Sequence, residues 1–351
     1  MKLDFSDTKL LFHLDRLAAW RRGETVTPLL YELSLTDACN SHCLSCPFEK
    51  IGRRNRYLSD KIMENLPAQL AEASAKSYFL AGEGEPLLHP GLADFTLKCT
   101  ALGVEGALSS NGLLFSGRLA DVLLETMTWI RFTVMSFNPE SYVRLHAVGR
   151  DNVRQIRRNI EEASRKRADG GLPVGLGIQQ VLVDENLDDT FFNCQTAKEL
   201  GVDYITIQPA VTQYSWFESP ALLNSRYEQH DELIQTCLGL NDDNFKVIFR
   251  KQHHVDKREY DRCLGFAFIS RVFSDGRVYP CEIFKDDEKI FFGDLAEESL
   301  AEIWHSEKTR KLLAELVKPR DFSKCLSSCR MNRTNKFLYD LTCPPPHVNF
   351  I

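Results

Sequence analysis

Apolar and polar blocks alternate along the first two-thirds of this chain. Apolar runs at 29–35, 77–81, 105–110, 129–136, 174–183 and 204–208 read as strands. Between them, 59–73, 91–102, 117–126, 152–165 and 189–200 carry helical patterning. Strands alternating with helices predict a parallel sheet joined by crossover helices. Six such units fall short of the eight that close a barrel, so the pattern predicts an α/β fold with an open, partial (β/α)6 barrel. Ligands of such sheets bind beyond the carboxyl ends of the strands.

The flanks are patterned differently. Leu10, Leu11, Leu14, Leu17 and Ala18 share one helical face, predicting a capping helix within residues 1–27, ahead of a barrel over 28–215. Residues 216–262 are polar and charged, with helical character at 226–240, and read as a bridging segment. Residues 263–351 form a small C-terminal domain in which Asp275-Gly276, set between apolar runs, predicts a hairpin. One helix is expected from Ser299 through Val317, and the prolines after Cys343 rule out a helical tail.

Composition narrows the partners. Lys+Arg 43 against Asp+Glu 49 leaves a net charge of -6, so no global field recruits nucleic acid or an anionic membrane. The first residues lack a signal-peptide pattern, and no run approaches the roughly 18 apolar residues of a membrane span. A cytoplasmic protein is expected. Its 11 cysteines then point to metal or cluster ligation rather than to disulfides.

Three of them, Cys39, Cys43 and Cys46, stand at C-x3-C-x2-C spacing just after the first strand, where a short loop can aim three sulfurs at one point. Soft thiolates select zinc, Cu(I) or iron–sulfur clusters. A closed zinc site wants a fourth protein ligand, for which His42 is the candidate. The second strand ends in Gly82-Glu83-Gly84-Glu85-Pro86, whose glycines allow close backbone approach to a ligand and whose carboxylates can receive an ammonium. Ser109 and Asn111 follow the third strand, Thr133 and Ser136 lie on the fourth, and Gln179 and Gln208 interrupt the apolar fifth and sixth. His89 and His146 are candidates for the barrel mouth, Tyr214, Trp216 and Phe217 for a pocket wall, and His253-His254 reads as solvated.

The cysteine loop resembles that of the radical SAM superfamily, where three cysteines hold a [4Fe-4S] cluster and S-adenosylmethionine (SAM) occupies the fourth iron. The Gly82–Pro86 turn is similar to the family's GGEP motif: Gly84 matches its second glycine and Glu85 its glutamate, while Glu83 stands where the first glycine is commoner. The resemblance implies that Gly84 and Glu85 hold the SAM amino group and that Thr133, or else Ser136, contacts the ribose; Ser109 and Asn111 form a polar rim expected to join the pocket, and Gln179 and Gln208 are placed to hydrogen-bond SAM or substrate. Ser45 stands where the family has an apolar residue against the adenine, a role Phe48 can assume.

Near the C-terminus, Cys263, Gly276 and Cys281 resemble the opening of the twitch/SPASM extension of these enzymes, followed by Cys325 and Cys329. That resemblance implies one auxiliary [4Fe-4S] cluster on Cys263, Cys281, Cys325 and Cys329, with Cys343 as a substitute ligand or free thiol; a zinc-knitted tail is the alternative. The implied activity is hydrogen abstraction by a 5′-deoxyadenosyl radical, fed by a flavodoxin- or ferredoxin-type electron donor. The favoured reaction is oxidation of a carbinol in a small polar metabolite (a sugar, aminocyclitol or nucleoside-like molecule of natural-product biosynthesis), with the auxiliary cluster as electron acceptor. Alternatives are redox-neutral epimerisation, with Cys194, Cys237, Cys99 or Cys343 as hydrogen donor, maturation of a ribosomal peptide, and a non-enzymatic iron–sulfur or zinc scaffold.

Overall fold

A computed structural model of the chain describes residues 9–210, 213–214, 217–218, 230–250, 258–322, 325–326, 329–344 and 346–349. The side chains of Tyr214, Trp216 and Phe217 and the pair His253-His254 lie outside them.

The six expected strands form as β1 (Leu30–Leu33), β2 (Ser77–Leu80), β3 (Glu105–Ser110), β4 (Met127–Thr133), β5 (Gly175–Leu182) and β6 (Tyr204–Pro209). Each pairs in parallel with the next. The barrel begins with α1 (Leu14–Arg21). Its crossovers carry α2 (Pro47–Lys50) and α3 (Asp60–Glu72), then α4 (Leu92–Ala101) and α5 (Gly117–Thr126). The fourth crossover holds α6 (Pro139–His146) and α7 (Asp151–Gly170), and the fifth α8 (Thr190–Glu199). Alternation places Tyr31, Leu33, Leu80, Leu108, Ile130, Phe132, Ile178 and Ile205 on one face of the sheet, within the main hydrophobic core. Glu32, Phe79, Trp129, Arg131 and Gln179 point the other way, into a cavity inside the barrel.

The sheet is larger than the sequence pattern predicts. After a two-stranded ribbon, β7 (Gln213–Tyr214) with β8 (Phe217–Glu218), the chain forms α9 (Asp231–Leu238) and then β9 (Lys246–Phe249), which pairs in parallel with β6. The segment read as a bridge therefore supplies a seventh parallel strand. At the opposite edge, β10 (Ile269–Val272) pairs in parallel with β1 and turns through Asp275-Gly276 into β11 (Arg277–Tyr279) and β12 (Gly293–Asp294). Gly276 has φ +85°, a conformation open to glycine at little cost. The sheet has ten strands, with the C-terminal hairpin continuous with the barrel.

Two helical expectations change. The N-terminal segment starts as a 3-10 turn at Lys9–His13, and its tighter winding shifts the phase of the apolar stripe. Leu10 and Leu17 are buried, whereas Leu11 and Leu14 are 45% and 62% exposed. The helix expected over 299–317 divides into α10 (Leu300–His305) and α11 (Glu307–Leu316), because Ser306 is extended and caps the second helix through its hydroxyl. A last helix, α12 (Asn332–Thr342), precedes the proline-rich tail.

Candidate functional site

The loop after β1 is shaped from three sides. Backbone bonds from His42 N to His146 O (3.0 Å) and from Leu44 N to Leu145 O (2.9 Å) fasten it to the end of α6. Asn111, after β3, donates through Nδ2 to Asn40 Oδ1 (2.6 Å). The turn after β2 closes the third side, with Glu85 N donating to Ala38 O (2.8 Å). Gly84 is needed for that approach: a Cβ there would lie 2.1 Å from Ala38 O and 2.6 Å from Thr36 O. Gly84→Ala should therefore displace the loop at a cost of about 1–3 kcal/mol, seen as lower iron retention together with a lower melting temperature.

The thiols of Cys39, Cys43 and Cys46 interact electrostatically, and all eleven cysteines are unpaired. Burial pushes the Cys39 thiol up to about 11 and Cys43 higher, opposed by the nearby Arg53 guanidinium. Arg53 itself is held by Glu49 Oε2 (2.8 Å), Glu83 O (2.9 Å) and Asp37 O (3.1 Å), with Nη2 3.7 Å from Cys46 Sγ. Such thiols ionise when a cationic centre binds them, so the donor set suits an iron–sulfur cluster. His42 turns away to Glu49 Oε1 (2.7 Å) and is mostly exposed, which removes it as a fourth ligand. Among the described residues, no three ligating side chains gather around a single metal ion.

His146 meets the loop from behind. It is fully buried, and desolvation lowers its imidazole to about 4. The Met135 N–H can only donate, so Nε2 is the acceptor (3.0 Å) and the ring proton resides on Nδ1, directed at Cys43 Sγ (3.3 Å). α6, which supplies this contact, begins at Asn138, whose Oδ1 accepts from Glu140 N (3.0 Å), with Pro139 in the first turn. Asn-Pro followed by a basic last turn was the available sequence signal.

The residues expected around SAM divide into two groups. Ser109 and Thr133 face each other at 3.3 Å on the carboxyl rim, and Gln179, whose Oε1 is buried without a partner, faces the cavity. Phe48 also borders that cavity, whereas Ser45 is directed to Met135 Sδ (3.6 Å). Glu85, by contrast, is buried, and burial raises its carboxyl. Its oxygens accept from Ser110 Oγ (2.7 Å), Asn111 N (2.7 Å) and Leu87 N (3.0 Å). The carboxylate thus braces the rim, and the turn has its backbone to offer a ligand's ammonium. Ser136 donates to Asp189 Oδ2 (2.8 Å) inside the protein, away from the rim. His89 is likewise internal, bonded to Leu58 O (3.0 Å).

A second thiol group borders the cavity, which Cys39, Cys43 and Cys46 do not line. Cys263, Cys281, Cys325 and Cys329 all border it, and Cys329 interacts electrostatically with Cys263 and with Cys281. Burial raises all four thiols. Asn335 on α12 positions the first: Oδ1 accepts from Leu264 N and Gly265 N (both 2.8 Å) while Nδ2 donates to Cys263 Sγ (3.3 Å). Cys343 is exposed in the tail, and Cys99, Cys194 and Cys237 are buried among the helices. None of these four borders the cavity.

The cavity has a volume of about 960 Å³. It runs from the rim, at Gly82, Gln179 and Gln208, to the four C-terminal cysteines. No helix among the described residues is long and apolar enough to cross a membrane.

Residues 33–191 match the family model described as the radical SAM superfamily, and residues 263–330 match SPASM, an iron–sulfur cluster-binding domain. No curated protein matches the chain by sequence. The fold is similar to that of Streptococcus suis SuiB bound to its precursor peptide SuiA, with a TM-score of 0.68, 13% identity, and coverage of 97% of this chain and 80% of SuiB. It is also similar to anSMEcpe with bound AdoMet, with a TM-score of 0.59, 18% identity, and 88% of each chain covered. Radical SAM domains bind a [4Fe-4S] cluster and SAM, and SPASM domains bind auxiliary iron–sulfur clusters. The chain is a radical SAM superfamily enzyme with a C-terminal SPASM domain.

Proposed function

We propose that this enzyme removes a hydrogen atom from a small polar metabolite held in the barrel cavity and oxidises a carbinol there to a carbonyl. In this reading Cys39, Cys43 and Cys46 hold the SAM-binding cluster, and Cys263, Cys281, Cys325 and Cys329 hold one auxiliary cluster. When bound, these groups would supply a hydrogen-abstracting radical and an electron acceptor to a substrate in the cavity. The observation that carries the reading is the single cavity bordered both by the rim and by the four C-terminal cysteines.

The chain's own residues bind and orient. The turn at Gly82–Glu85 offers backbone groups to the amino acid part of SAM, and Ser109 and Thr133 offer hydroxyls to its ribose. In this reading Phe48, which borders the cavity, packs on the adenine. Epimerisation lacks a hydrogen donor among the described residues, since the only thiols bordering the cavity are the four assigned to the auxiliary cluster. A peptide substrate is the second reading, favoured by the likeness to SuiB bound to precursor peptide SuiA and to anSMEcpe with bound AdoMet and Kp18Cys peptide.

Anaerobic protein given dithionite and SAM should form 5′-deoxyadenosine, and candidate sugars and aminocyclitols should return lighter by two hydrogens. A product of unchanged mass in H2O that is one unit heavier when formed in D2O would mark epimerisation instead. Conversion of peptides but not of metabolites would favour the second reading.

A further inference from the structure

The inner wall of the barrel carries more positive charge than it neutralises. Glu32 on β1 is shared by Arg271 of β10 and Arg330, and Arg271 also reaches Glu282 Oε2 (3.3 Å). Arg131 on β4 has no such arrangement. Among the described residues no carboxylate lies within ion-pairing distance of it, and its Nε is buried without a hydrogen-bond partner. Its guanidinium lies 5.6 Å from the Trp129 ring and 5.9 Å from that of Phe79, whose ring also has Arg330 at 5.9 Å. Burial and the like charges of Arg250 and Arg330 lower Arg131 to about 10, against the pull of Tyr204 and Glu32, which leaves it a cation at neutral pH. An unpaired buried cation is costly, and aromatic faces offset only part of that cost.

The position of Arg131 sets it apart from the SAM rim. It stands two residues before Thr133 on the same face, one layer deeper in the barrel. Gln179, paired in register with Thr133, lies just above it, and its Oε1 is also buried without a hydrogen-bond partner, in a residue only 8% exposed. The cavity thus presents a guanidinium that lacks an anion and an amide oxygen that lacks a donor, one above the other.

We infer that Arg131 anchors an anionic group of the substrate, and that the substrate is a hydroxylated small molecule bearing a carboxylate or phosphate, whose hydroxyl donates to Gln179. This rests on the reading of the cavity as the substrate site. A carboxylate or phosphate accepts two parallel bonds from a guanidinium, a geometry that fixes the orientation of the molecule as well as holding it.

The test is anaerobic calorimetry on reconstituted, SAM-saturated protein without reductant, titrated at constant ionic strength with inorganic phosphate and, separately, with malonate. SAM saturation keeps SAM's own carboxylate from competing unnoticed. Wild type should bind at least one anion saturably. Arg131→Gln should weaken that binding by at least about tenfold, the size expected for a lost charged hydrogen bond, and Arg131→Lys should retain part of it. Tighter phosphate binding assigns a phosphorylated substrate, and tighter malonate binding a carboxylate. Absence of saturable binding to wild type, or equal affinity in Arg131→Gln, overturns the inference. Arg131→Met carries the comparison if Arg131→Gln does not fold. Iron content and 5′-deoxyadenosine formation are measured on the same wild-type preparation. Their loss would sink the reading of the enzyme, whereas their presence without anion binding would sink only the anchor.

Discussion

Replacing Cys39, Cys43 and Cys46 together by alanine should lower the iron of anaerobically reconstituted protein from about eight to about four per chain. 5′-Deoxyadenosine formation should fall to background. The two effects belong together in the proposed reading, where the loop's three thiolates leave one coordination position for SAM and the C-terminal set of four thiolates leaves none. The structure also gives reason to expect the remaining iron to survive. Cys263 accepts from Asn335 on α12, and Cys281 directly follows β11; neither position lies in the Cys39 loop. A fall from about four irons to none would instead make the C-terminal cysteines zinc ligands or free thiols, and would remove the electron acceptor that the oxidation requires.

Glu83→Gly is expected to destabilise the protein markedly, although glycine is the commoner residue at that place in the family motif. Glu83 is buried and reaches the C-terminal hairpin region twice: Oε1 lies 3.2 Å from Lys285 Nζ, and Oε2 accepts from Ser274 N (2.8 Å). The Lys285 side chain is itself only 5% exposed. Removing one member of a buried pair strands the other, at a cost of about 3–5 kcal/mol. Asp286, 2.9 Å from Lys285 Nζ, gives the stranded ammonium a second partner and points to the lower end of that range. The Ser274 N–H would also lose its acceptor. The expected result is a melting temperature lower by several degrees, with much of the loss recovered in Glu83→Gly/Lys285→Met, where no charge is left buried. An unchanged melting temperature in the single variant would show that the contact contributes nothing.

The parallel core was legible because its strands are apolar runs separated by helical periods, and both cysteine groups were legible from spacing. What escaped were short or polar elements. β9 is four residues with a lysine at its start, reached through a polar stretch, and becomes a strand only by pairing with β6. α12 fully buries only Leu338 among its apolar residues and is dominated by polar side chains, yet it carries Asn335. α6 was hidden behind an Asn-Pro pair that reads equally well as a turn. In the site, Glu85 looked like a ligand from its motif, but only the fold shows that Ser110 and Asn111 occupy its oxygens. Arg131 does carry a signal in the sequence: a charge inside an apolar strand, in phase with Thr133, belongs to the face that looks into the barrel.

The pairing of β1 with β10 joins Leu30 to Ile269, residues separated by 239 positions. During synthesis the strand that leads into the Cys39 loop emerges well before its outer neighbour, which is made only after the residues between them. Until then β1 is an unprotected edge with open backbone groups, the kind of surface that recruits other chains. Contacts of such long sequence separation also form slowly. Nascent or truncated chains ending before β10 should therefore need chaperones to stay dispersed, and the order of manufacture makes the C-terminal domain the closing piece of the barrel.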